Sequence, residues 1–168
     1  MRDSVGTTWV FSIIMIFTLI FAAFLVLALN YAKAYKIKNE MATIIEKYEG
    51  LTTTDDLNKI GSISIINDYL LNNGYKAKGY CSDEGDSYGV DDLEEGNLEE
   101  IVEGNDKKYY YCVRLEKGYL TCSTIYYITV FYDFNLPILG RFRKFEIKGQ
   151  TNEVVYGRFM DSVYACDM

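Results

Sequence analysis

The chain has 168 residues, 49% of them hydrophobic and 15% aromatic, with one Pro, no His and a formal net charge of −7. That content is too apolar for a disordered polypeptide, and the lack of His removes the commonest acid–base and metal-binding side chain. The charge is local: residues 83–106 hold 11 acidic residues and no Lys or Arg, leaving 13 acidic against 17 basic elsewhere, without the basic face that nucleic-acid binding needs.

In chain order, residues 1–8 form a short N-terminal segment, and Trp9 to Leu29 is a run of 21 residues with no charge and only Ser12 and Thr18 polar. About 20 apolar residues at 1.5 Å each cross a bilayer core. Trp9 at one end and Tyr31 and Tyr35 past the other fit interfacial anchoring. A run apolar on every face is not a core helix of so small a chain. A cleavable signal would have a shorter apolar region, a basic start and small residues at its end. A retained single membrane span is therefore expected, with membrane lipid as its surroundings.

The next stretch, "NYAKAYKIKNEMATIIEKYEG", contains no helix breaker before Gly50. Ile37, Met41, Ile44, Ile45 and Tyr48 recur at helical spacing and make one apolar stripe. Residues 9–49 thus read as a single helix, apolar all round and then amphipathic, stopped by Gly50 at its C′ position. Its stripe needs a cover, and residues 50–168 are long enough to build one small domain.

Within that domain, "SISIINDYLLNNG" predicts a short helix with Ile63, Ile66 and Leu70 on one side. "KYYYCVRLE" and "YLTCSTIYYITVFYDF" are rich in Tyr, Val, Ile and Thr and predict strands, with a turn at Lys117-Gly118. The second strand is apolar on both faces, which places it inside a sheet. "RFRKFEIKGQT" alternates, Phe145 and Ile147 one way and Lys144, Glu146 and Lys148 the other. A weaker strand is expected over Thr151–Phe159. The fold class is α+β: a long N-terminal transmembrane and amphipathic helix packed on a small antiparallel sheet.

The acidic segment 83–106 reads as a solvated, self-repelling loop. Clustered carboxylates also suit a cation or a basic partner, although the EF-hand spacing is missing. Cys81, Cys112, Cys122 and Cys166 are dispersed, without C-x-x-C, and so point to two disulfides rather than to zinc. Four cysteines allow three pairings. Joining Cys81 to Cys112 closes the base of the acidic loop and leaves Cys122 with Cys166; Cys112 with Cys122 across the hairpin is the rival. Disulfides place the domain outside the cytoplasm. The Lys count near the span (Lys33, Lys36, Lys38 and Lys47 against Arg2) points to the opposite orientation.

The stretches "TTWVFSIIMIFTLIFAAFLVLALNYAKAYKIKN" and "YYITVFYDFNLPILGRFRKFEIKGQT" give the chain a resemblance to type IV pilins and pseudopilins, more narrowly to TadE-like pseudopilins of tight-adherence (Flp-type) pili. The likeness lies in an apolar helix running into an amphipathic one, then a Cys-stapled sheet with a Leu-Pro step between strands. It implies a pilin-like fold and a minor pilin or pseudopilin of a tight-adherence or type II/IV secretion-type assembly system. Its partners would be other pilin-like subunits and the assembly machinery, with the domain extracytoplasmic. Prepilins are cut after a Gly and keep a Glu at the fifth mature position. A cut after Gly6 would put Phe11 there, so an uncut anchor is expected.

The rival function is a single-span binding or sensory ectodomain unrelated to pili. An enzyme is not expected: there is no His, no G-x-S-x-G and no redox pair, and the carboxylates crowd into one loop. No catalytic, cofactor-binding or metal-binding residue is assigned.

Overall fold

A computed structural model describes the backbone of residues 2–52, 61–82, 85–94, 97–102, 104, 106–118, 123–136, 140–155, 158–159 and 162–163. Side chains are described from Thr8 onward, except within 134–144 and 158–163. Helix α1 runs without interruption from Arg2 to Lys47, 46 residues and about 70 Å at 1.5 Å per residue. It ends one step earlier than the glycine implied. Glu49 takes the left-handed conformation (φ 57°) and Gly50 follows at φ 133°, while Tyr48 N–H still donates to the Ile44 carbonyl at 3.0 Å.

The chain then forms β1 (Gly50–Leu51), α2 (Ser62–Asn72), β2 (Asp86–Val90), β3 (Leu98–Glu100), β4 (Tyr111–Gly118), β5 (Ser123–Leu136) and β6 (Gly140–Gln150). Three two-residue strands follow: β7 (Val154–Val155), β8 (Arg158–Phe159) and β9 (Ser162–Val163). The main sheet has the order β3-β2-β4-β5-β6, every pair antiparallel, with β7 joining β5 at its far end. A second small sheet, β1-β8-β9, pairs β1 with β8 in parallel. The weak final strand expected over Thr151–Phe159 is therefore two pieces in two sheets.

Both helices lie on one face of the main sheet. On β5 that face is Tyr126, Ile128 and Val130, all fully buried. The register sets Ile128 between Val113 and Gly149, and Val130 between Tyr111 and Ile147. Side chains alternate along a strand, so this one choice of register assigns every inward residue of three strands. Ile63, Ile66 and Leu70 of α2 complete the core beside Ile37, Met41 and Ile45 of α1.

Around Phe131 the opposite face of β5 is covered by the chain from Tyr75 to Cys81, while Ile125, Tyr127 and Thr129 on that face are half-buried. Gly79 lies so close to the Phe131 ring that a Cβ there would meet it at 2.2 Å, and Gly79 and Tyr109 exchange backbone hydrogen bonds at 2.9 and 2.8 Å. Phe131 is 1% exposed although its strand neighbour Val130 is buried on the other side. The apolar character of both faces of β5 has this physical cause at Phe131: helices cover one face, and an irregular segment covers the other there.

The expected turn at Lys117-Gly118 is strand instead. The β4–β5 pairing extends to Gly118 opposite Ser123, because the ladder keeps bonding after the sequence offers a glycine. The acidic segment also departs from expectation, since β2 and β3 form within it and Val90, Leu93 and Ile101 are buried.

Candidate functional site

The span and the stripe come first, because they are one helix. Trp9 and Leu29 bound the apolar run and are 72% and 69% exposed. Thr8–Lys47 is long and apolar enough to cross a membrane, with none of its most apolar window buried against protein. Of the stripe residues, Ile37, Met41 and Ile45 are buried, whereas Ile44 and Tyr48 are half-buried at its margin. The stripe also includes Ala34, which is buried and which hydropathy counting passed over. Small residues permit close approach but carry little periodic signal.

Cys81 and Cys112 form a disulfide with Cα atoms 5.7 Å apart and a sequence separation of 31. Register disposes of the cross-hairpin rival. Cys112 stands opposite Thr129 on β5 and opposite Gly89 on β2, because the hairpin turns beyond Gly118. Cys122 and Cys166 lie outside the described residues. The disulfide attaches the Tyr75–Cys81 segment to the sheet on the face away from the helices.

The acidic segment is organised by a cation just outside it. The Lys107 ammonium lies 2.8 Å from Asp91 and pairs also with Glu99. Hydrogen bonds to these two carboxylates raise the Lys107 pKa above the ordinary lysine range, and the Lys107 bond holds the Asp91 carboxyl below its usual value. Asp92 closes the following turn by accepting from Glu94 N–H at 2.8 Å. Read within 83–106 alone, the segment is self-repelling; position 107 changes that. Among the described residues no group of three or more metal-ligating side chains comes together.

Two buried hydroxyls were invisible among 16 tyrosines. Tyr75 accepts from Phe131 N–H at 2.9 Å and donates to the Phe131 carbonyl at 2.6 Å, with the Tyr110 carbonyl at 3.1 Å. It takes the place of a strand partner for Phe131 just before β4, where Tyr110 N–H donates instead to the Val90 carbonyl of β2 at 2.7 Å. Tyr111 donates to Asn67 Oδ1 of α2 at 3.0 Å, and Asn67 Nδ2 has no partner among the described residues. Burial pushes both phenols well above their ordinary pKa.

Where helix and domain meet, Asn30, Lys33, Ala34, Gly74, Lys76 and Tyr132 line a cleft of about 190 Å³. Lys33 Nζ donates to the Asn73 carbonyl at 3.0 Å and ties α1 to the end of α2. Comparison with family models, with curated proteins and with solved structures gives no match.

Proposed function

We propose that the chain is a membrane-anchored, pilin-like subunit, a pseudopilin or minor pilin of a tight-adherence or type II/IV secretion-type assembly system, with its C-terminal domain outside the cytoplasm. The observation that carries this reading is the division of α1. Its first half exposes apolar side chains on all sides, and its second half lays one buried stripe, Ala34, Ile37, Met41 and Ile45, against an antiparallel sheet without a break between them. Such a helix holds a rigid domain at fixed height above a bilayer and offers a continuous apolar surface to like helices. The Cys81–Cys112 disulfide supports an oxidising compartment.

Photo-crosslinking from Phe17 and Leu25, exposed on α1, in membranes of the native cell tests the reading. Crosslinks to pilin-like chains or to the membrane platform of an assembly system are the expected result. Crosslinks confined to lipid or to unrelated receptors would overturn it in favour of an anchored ectodomain.

A further inference from the structure

At the membrane-proximal end of the domain, four aromatic rings join outside the core. Tyr31 and Tyr35 stack with centroids 6.4 Å apart, Tyr132 meets Tyr31 edge-on at 6.4 Å, and Tyr132 stacks on Phe145 at 5.2 Å. Tyr31, Tyr35 and Phe145 are 51%, 47% and 38% exposed. Rings that serve only a core would be covered.

Three contacts fix the direction of the sheet along α1. Asn152 N–H donates to Glu46 at 2.7 Å, the Lys38 stem crosses Gly149, and Tyr31 meets Tyr132. Strand β5 therefore runs antiparallel to α1, towards the span. Past Tyr132 it continues to Leu136, paired there with Gly140 of β6. The pairing shifts register between Asp133 and Asn135, so four residues at about 3.4 Å each carry the strand end at most roughly 13 Å further. At 1.5 Å per residue that is about nine helix residues, to the level of Ala22 and Ala23.

The helix records the same reach. Among residues 8–29, Ala23 and Leu27 alone are half-buried, and with Asn30, Ala34, Ile37, Met41 and Ile45 they continue one stripe into the span. The sequence from Asn135 to Gly140 has no charge, and Arg141, Arg143 and Lys144 follow it. Lys33 and Lys76 line the cleft beside Tyr132, at the level of the rings.

Rings at a boundary, a strand end of uncharged sequence beyond them, basic residues following it along the chain and two lysines at the level of the rings are the chemistry of a bilayer surface. We propose that the β5–β6 end of the sheet is a second membrane contact, its rings in the headgroup region of the bilayer that α1 crosses and its uncharged strand end reaching the outer acyl chains beside α1, with a preference for anionic phospholipid. This rests on α1 spanning a bilayer and is independent of any pilus.

The test uses the full chain in nanodiscs of phosphatidylcholine, with and without phosphatidylglycerol, and lipids spin-labelled at several depths. Native Trp9, the chain's one tryptophan, reports the anchor. Trp9→Phe combined with Phe145→Trp, or with Leu136→Trp, reports the contact, with near-UV dichroism checking the fold. The expected result is blue-shifted emission and quenching of the probe at 145 by headgroup labels, deeper quenching at 136, and roughly twofold or more strengthening by phosphatidylglycerol. Water-like emission with iodide quenching at both positions, while Trp9 stays quenched by lipid, would overturn the contact alone. Failure of lipid to quench Trp9 would remove the anchor and the contact with it, and equal quenching in both lipid compositions would refute the anionic preference.

Discussion

Gly79 and Gly149 are both crowded by a neighbouring side chain, but the neighbours differ. At Gly79 a Cβ would overlap the buried Phe131 ring, and at Gly149 it would meet the Lys38 stem at 2.3 Å. A ring packed on both sides has nowhere to go, whereas Lys38 can swing into solvent. Gly79→Ala is expected to cost about 1–3 kcal/mol as overpacking, and Gly149→Ala clearly less; guanidinium unfolding of the full chain in detergent measures the contrast. Tyr75 gives a second test. Removing its hydroxyl strands the Phe131 N–H and carbonyl inside the sheet, so Tyr75→Phe should cost about 1–3 kcal/mol. It should also change the alkaline limb. Burial raises the Tyr75 and Tyr111 phenols in the folded state, so their neutral forms are bound more tightly folded than unfolded. That contribution is complete below the unfolded phenol pKa of about 10 and is lost as pH rises above it. Unfolding midpoints should fall between pH 9 and 11, less steeply in Tyr75→Phe. None of the three residues stands out in the sequence, because each matters through a neighbour distant along the chain.

Among the elements, α1 followed its sequence most closely, since helical periodicity is a local property. The stripe centre nevertheless lies at Met41 and Ile45, fully buried, while Ile44 is at the edge. Met41→Asp should therefore destabilise the domain by several kcal/mol as a buried unpaired charge. Thr43→Asp, on the exposed side, should leave the midpoint unchanged, with Ile44→Asp between them in thermal melts. Helix α2 and strands β4 to β6 were equally plain in pattern. The acidic segment was not, because its strands depend on partners elsewhere: β2 pairs with β4, and Lys107 neutralises Asp91 and Glu99. The Cys81–Cys112 bridge encloses this segment. Cys81→Ser with Cys112→Ser should lose roughly 3–4 kcal/mol by the chain-entropy account. Hydrogen exchange should rise first in β2 and at Gly79, whose bond to Tyr109 the bridge holds in place.

For the molecule as a whole, the compartment is the property most open to a direct test. The Lys count beside the span and the disulfide argue for opposite sides of the membrane. A disulfide requires oxidising chemistry, whereas the lysines have a local use: Lys33 binds the Asn73 carbonyl and Lys38 lies over the Tyr35 ring at 4.4 Å. Impermeant maleimide applied to intact cells is expected to leave Cys81 and Cys112 unlabelled until reductant and denaturant are added. Labelling without reductant would show free thiols. Composition and periodicity alone establish an apolar helix long enough for a bilayer, its amphipathic continuation and the α+β class, because each depends on residues within a few turns or one strand. Register, the cover on the second face of β5, the hydroxyl bonds of Tyr75 and the choice of cysteine partner depend on which distant segments meet. Side-chain pattern is nearly the same for several such pairings, and only packing of the whole chain distinguishes them.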